Sequence, residues 1–359
     1  MGHHIEDLLG HWHQAPHEAW VLAVITDIQG SAYRKPGAIM LFNSVGKSFG
    51  LLSGGCLEAD LRRHAQKALQ TMAVQRVIYD ATDESDTSYQ LGCGGIVSIM
   101  LVPLIESNQC LGLAALMQGL ADNTHGFYQV SVCEQGTDAA NVVGTFTAKS
   151  QATFPLSDFD RVGYLDTNTL NTDRHNADFP NSAAAPLTPS SVSLVIPMRS
   201  KYHLGVFGGG IDAQPLVSMA LTLGWRVTVF DERSAYGRDY DFPGASVVRR
   251  ASNTLNEADL NCLDAVMVMH HNVVLDAKAL VRLQSTQIAY VGLLGPGHRR
   301  DKVLALAKLE QGDFQHRLFA PAGLALGGEL PTSIALSILS QCHGVLHQAA
   351  LSELTNIMK

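Results

Sequence analysis

Charge is scarce in this chain. Only 16% of its 359 residues are Asp, Glu, Lys or Arg, and the acidic ones lead by 33 to 25, a formal net charge of −8. With no basic surplus to face a phosphate backbone, a nucleic-acid partner is not expected. Long apolar runs are missing too. The longest, such as 95–104, fall short of the ~20 residues a bilayer span requires, and no basic segment followed by an apolar core opens the sequence. A cytoplasmic protein, not a membrane one, is expected. Cysteine is sparse: Cys56, Cys93, Cys110, Cys133, Cys262 and Cys342 lie far apart, without zinc-finger spacing. That spread argues against a disulfide framework and leaves any functional cysteine a role as thiolate or ligand.

Apolar residues and glycine are plentiful, at 46% and 32 residues. Low charge with a mean hydropathy of +0.08 points to further burial in a homo-oligomer. A single core stops growing at about 250–300 residues, so two domains are expected.

Residues 1–150 mix helices and strands irregularly. Ile5, Leu8, Leu9 and Trp12 form a helical stripe, and Trp20–Thr26, Ala38–Phe42 and Ser48–Leu52 predict strands. A helix over 57–74 follows, then strands at Gln75–Tyr79 and Gly95–Val102. A helix near Cys110–Leu120 and strands at Phe127–Glu134 and Asn141–Phe146 complete an α+β domain. Residues 151–200 read as a linker, crowded with Asn, Thr, Asp, Ser, Ala and Pro and ending in a strand at Val192–Pro197. Over 201–359 apolar strands and helices alternate, the pattern of a Rossmann-like, doubly wound parallel sheet, and the chain as a whole is α/β.

The first strand of that second domain runs into Gly208-Gly209-Gly210-Ile211-Asp212-Ala213, a G-x-G-x-x-A fingerprint. Gly208 suits a tight turn, Gly210 a close approach to a pyrophosphate, and the helix N-terminus offers N–H groups to an anion. Asp231, at the end of the second strand, stands where an acid would contact ribose. Together these suggest NAD(P) or another nucleotide. Against the nucleotide, Asp212 puts a negative charge in the first helical turn, where it caps the helix and competes with phosphate. His270 ends a later strand, and Arg299, between His298 and Arg300, opens a helix after Gly295; both are candidate ligand contacts.

Two cysteines of the first domain are flanked by glycine. Cys56 follows Gly54 and Gly55 at the start of a helix, whose dipole favours thiolate, and Cys93 lies in Leu91-Gly92-Cys93-Gly94-Gly95. Bare neighbours leave both sulfurs open to a bulky ligand. The loop Gly30-Ser31-Ala32-Tyr33-Arg34-Lys35-Pro36-Gly37 adds two cations, of which Arg34 is a candidate phosphate contact.

These blocks resemble the XdhC/CoxI family of accessory proteins for molybdenum hydroxylases. The resemblance rests on GSAYRKPGAIM (30–40), SGGCLEADL (53–61) and LGCGG (91–95), and on FGGGIDAQPL, TVFDER, MHHNVVLD, YVGLLGPGHRRDKV and APAGLALGGELPTSIALSI in the second half. It covers nearly the whole chain apart from about 150–190. It implies a factor that binds molybdenum cofactor (molybdopterin), supports its sulfuration by a cysteine desulfurase and delivers it to an apo hydroxylase of the xanthine dehydrogenase type. Carried over to this sequence, Cys56 is the first and Cys93 the second contact to the metal. The competing reading, an NAD(P)-dependent oxidoreductase, lacks an obvious catalytic pair beside its fingerprint.

Overall fold

In the computed structural model, residues 3–55, 57–80, 95–152, 162–166, 169–171 and 192–349 are described. The chain divides into two units, Met1–Ser200 and Lys201–Lys359.

The first unit opens with helix α1 (Ile5–Gln14), then strands β1 (Trp20–Gln29), β2 (Ile39–Asn43) and β3 (Ser48–Gly50), helix α2 (Glu58–Thr71), and strands β4 (Gln75–Asp80) and β5 (Ile96–Leu104). The strands form an antiparallel sheet in the order β3-β2-β1-β5-β4. Central β1 is buried on both faces, which is why its sequence reads as an unbroken apolar run. Its Val21, Ala23 and Ile25 meet Leu61, Ala65 and Ala68 of α2, while Trp20, Leu22 and Val24 belong to a second core on the opposite face. That second core is filled by α1, by α3 (Leu113–Ala121) and by another antiparallel sheet. The latter comprises β6 (Gly126–Ser131), β7 (Gly144–Ala148), β8 (Gly163–Asp166), β9 (Thr169–Asn171) and β10 (Val192–Met198), in the order β7-β6-β10-β8-β9.

Two local expectations change. The stretch read as linker supplies β8 and β9, and Tyr164 of β8 is buried and donates its hydroxyl to the Thr26 carbonyl. These strands are too short to show an apolar period. The helix expected from Cys110 starts later, because Cys110 and Leu111 take positive φ of 47° and 53° before α3.

The second unit holds β11 (His203–Phe207), α4 (Ala213–Thr222), β12 (Arg226–Phe230), β13 (Ser246–Val248), α5 (Glu257–Asn261), β14 (Ala265–Val268), α6 (Val273–Leu283), β15 (Tyr290–Leu293), α7 (Gly297–Ala307), β16 (Leu318–Phe319) and α8 (Pro331–Leu346). Its six strands are all parallel, in the order β13-β12-β11-β14-β15-β16, which is the Rossmann order 3-2-1-4-5-6. Helices α4 and α8 cover one face and α6 and α7 the other. The order reverses between β11 and β14, so the crevice outside their carboxyl ends is where this fold places a ligand.

Candidate functional site

In the first unit, described residues of three motif blocks come together at one end of the sheet, Gly95 alone representing the third. Gln29 pairs with Ile96, so the loop after β1 lies beside the segment entering β5. Gly95 sits so close that a Cβ there would collide with the Ser31 carbonyl oxygen and stand 2.7 Å from that of Gln29. Tyr33 lays its ring against Gly54, 3.6 Å from where a Cβ would be, while Gly55 faces open space. Gly54 and Gly55, with φ of +76° and +114°, turn the chain toward α2 as only glycine does readily.

A clasp closes that turn. Glu58 accepts the N–H groups of Leu52 and Ser53 at 3.1 and 2.9 Å and the Ser53 hydroxyl at 2.6 Å, and Ser53 Oγ accepts from Leu57 N–H at 2.8 Å. Burial pushes the Glu58 carboxyl up, but the Ser53 hydroxyl and the two N–H groups outweigh it and hold it below the usual range. The clasp spans the position of Cys56; Cys56 and Cys93 themselves lie outside the described residues. Arg34 is half-buried and Lys35 exposed, and among the described residues neither side chain has a hydrogen-bond or ion-pair partner.

In the second unit the predicted residues gather at the carboxyl edge of the sheet, and their side chains are bonded to other groups of the same unit. Asp231, 1% exposed, does not present a free carboxylate to a ribose. One oxygen accepts Gly209 N–H and Arg233 Nη2 at 2.8 and 2.7 Å, the other Arg233 N–H and Nε at 3.0 and 2.9 Å. Four donors saturate a carboxylate. Burial raises the Asp231 carboxyl, yet Arg233 and Gly209 hold it below its ordinary value. Arg233 goes on to donate to the His270 carbonyl at 3.1 Å.

His270 and Arg299 meet across Asp276, which is fully buried. His270 Nδ1 lies 3.0 Å from Asp276 Oδ1, and Arg299 Nη2 bonds the other oxygen. Burial again raises this carboxyl, and His270 and Arg299 lower it further than burial lifts it. Arg299 also donates to the Leu294 carbonyl at 2.9 Å, and Arg300 is engaged by Asp301 and the Ala320 carbonyl. The two guanidiniums are thus committed within the unit, chiefly to Asp276 and Asp301, not held out toward solvent. Gly208, φ +117°, crosses the end of β14, where a Cβ would lie 2.6 Å from the His270 amide nitrogen.

Asp212 departs from the expected cap. It makes no cap hydrogen bond; instead it folds over Gly210 and binds His271 Nε2 at 2.6 Å. The Asp212 carboxylate raises the His271 pKa. Sequence reasoning passed over Arg233, Ser53 and Glu58. The Asp-x-Arg spacing of 231–233 was a readable signal for the first; the clasp, made across five residues of loop, had none.

Residues 13–80 match the XdhC and CoxI family, and residues 204–342 match the XdhC Rossmann domain. A relative from Bacillus subtilis (strain 168), described as a probable subunit of xanthine dehydrogenase, is 30% identical over 338 residues, covering 90% of this chain and 92% of that protein. The chain belongs to the XdhC and CoxI family. A crystal structure described as a xanthine dehydrogenase from Bacillus halodurans shares the fold with a TM-score of 0.73 and 27% identity, over 97% of each chain. The family's Rossmann domain is therefore the unit whose carboxyl edge is described above. Among the described residues no helix is long and apolar enough to cross a membrane, and no three His, Cys, Asp or Glu side chains stand together as a metal site.

Proposed function

We propose that this protein is a maturation factor for a molybdenum hydroxylase of the xanthine dehydrogenase type, which it supplies with molybdenum cofactor. Family membership, with relatives described as xanthine dehydrogenases, carries the reading. The cofactor is cargo here, a soft metal centre on a pterin with an anionic phosphate. The loops of the first unit suit such cargo: Arg34 and Lys35 are unpaired cations among the described residues, Gly55 leaves open space, and thiolates are the protein ligands that match a soft metal. In this reading Cys56 is the principal contact and Cys93 the second, while the Ser53–Glu58 clasp holds the first loop in shape. A cysteine desulfurase supplies sulfur to the bound cofactor, the apo hydroxylase receives it, and the factor works as a homo-oligomer.

The NAD(P)-oxidoreductase alternative is disfavoured by Asp231, whose acceptors are filled by Arg233 and Gly209. The test is to incubate purified protein with molybdenum cofactor and measure retained molybdenum and pterin. Cys56→Ala is expected to lose most of both and Cys93→Ala a part. Unchanged retention in both variants would remove the proposed site, and failure of the wild type to retain cofactor would remove the function.

A further inference from the structure

Two loops border the switch point of the Rossmann sheet, one after β11 and one after β14, and a side-chain pair joins them. His271 Nε2 lies 2.6 Å from Asp212 Oδ2 across 59 residues of chain. Both partners reach the surface, the His271 side chain being 57% exposed and that of Asp212 25%. His271 takes a left-handed φ of 57°, which a residue other than glycine keeps only where its surroundings enforce it, just ahead of Asn272, the cap of α6.

Asp212 has little else to bind. It stands at the N-cap of α4, where a carboxylate ordinarily accepts the N–H of the second or third helical residue. Here the third is Pro215, which has no N–H, and the second, Gln214, donates to the Ile211 carbonyl at 3.3 Å. Among the described residues His271 is the sole hydrogen-bond partner of the Asp212 side chain. Held there, Asp212 places Oδ1 2.6 Å from where a Gly210 Cβ would be, so a group approaching that face of Gly210 must displace it. The charges facing His271 come from three elements: Asp212 at the start of α4, Arg299 of α7, and Asp276 of α6, which is itself bonded to Arg299 and His270. The bond to Asp212 does most to favour the imidazolium; partial burial and Arg299 oppose it, and Asp276 adds to it. Arg233, which donates to the neighbouring His270 carbonyl, is committed to Asp231.

We propose that the His271–Asp212 pair is a pH-operated strap across the carboxyl edge of the Rossmann sheet, closed over Gly210 when the imidazole is protonated and open when it is neutral. On losing its proton His271 gives up the charge that draws the carboxylate. With no cap bond to keep it, Asp212 then turns to solvent and bares the glycine face.

Relaxation of the Gly210 protons by the uncharged nitroxide TEMPOL, read by NMR on the full chain, tests this without any cofactor. Between about pH 6 and about pH 8.5 the enhancement at Gly210 is expected to rise about two- to fivefold, the worth of an exposed ion pair, in step with the His271 titration. The Gly209 amide, buried and bonded to Asp231, should not change and serves as the internal reference. His271→Asn keeps a side chain that tolerates the left-handed backbone but takes up no proton, so Gly210 should be open at both pH values. Asp212→Asn keeps the size, removes the charge, and should lose the step as well. The strap is overturned if Gly210 of the wild type is equally accessible at both pH values, or if the step survives in His271→Asn, which would assign it to another group such as His270. A step that survives in Asp212→Asn overturns it too, so either variant alone is a sufficient test should the other fail to fold.

Discussion

Removing the Asp276 carboxylate would strand three donors at once, the ring and main-chain N–H groups of His270 and the Arg299 guanidinium. His270 and Arg299 both point at it, and in a fully buried setting the loss of one partner leaves an uncompensated charge. Asp276→Ala is therefore expected to destabilise the Rossmann unit by about 3–5 kcal/mol in urea denaturation. The same geometry sets a pH dependence. Asp231 and Asp276 both have folded pKa values depressed below 3.8, so their stabilisation is complete above that value and is lost as pH falls through the lower folded values. Denaturation midpoints should drop below pH 4, and by less in Asp276→Asn. His271 has the opposite sign. Its pKa is raised above 6.5 by Asp212, so the pair contributes fully below 6.5 and fades as pH rises through the folded value. An NMR titration should place the His271 midpoint above 6.5, and Asp212→Asn should return it toward that figure.

At the scale of elements, glycines mark where backbone approaches backbone, and each makes a different prediction. Gly95→Ala has no room: its Cβ meets two carbonyl oxygens of the neighbouring loop, neither able to swing aside. A loss of about 1–3 kcal/mol or more is expected from such overpacking. Gly10, inside α1 with nothing within 4 Å, should behave in the opposite way, Gly10→Ala gaining about 0.5–1 kcal/mol through helix propensity. Paired denaturation curves of the two variants check both signs. The Ser53–Glu58 clasp is likewise an element-level device. Glu58→Ala leaves the N–H groups of Leu52 and Ser53 and the Ser53 hydroxyl without their acceptor, and should cost about 1–3 kcal/mol.

For the molecule as a whole, two units with separate cores imply separate folding. Among the described residues, both faces of the Rossmann sheet are covered by helices of that unit. A fragment spanning Lys201–Lys359 is expected to unfold in one cooperative transition, read by circular dichroism at increasing urea. A noncooperative loss of signal would mean that the sheet depends on the first unit.

Local pattern was enough for much of this architecture. The double-sided burial of β1 was written in an unbroken apolar run, and the alternation after residue 201 announced a parallel sheet. The glycine blocks fell where the chain turns sharply or packs closely, because the need for positive φ or close approach is met within a few residues of chain. What local pattern could not carry was the state of each polar group. Whether Asp231 meets a ligand or Arg233, whether Arg299 faces solvent or Asp276, and whether Asp212 caps its helix or binds His271 depend on strand order. Sheet order brings together groups 22, 23 and 59 residues apart, as in Gly209 with Asp231, Arg299 with Asp276 and His271 with Asp212. Strands β8 and β9 belong with these: too short for a period of their own, they are strands because β10 offers β8 an edge and β8 offers one to β9. The scarcity of charge noticed in the sequence thus has a tertiary counterpart, since several of the few charges present are spent on each other at the carboxyl edge. Sequence alone determined the family and the folds that hold the candidate loops. Tertiary structure alone decided which of their groups remain open to a ligand, because hydrogen-bond partners are chosen in space and not along the chain.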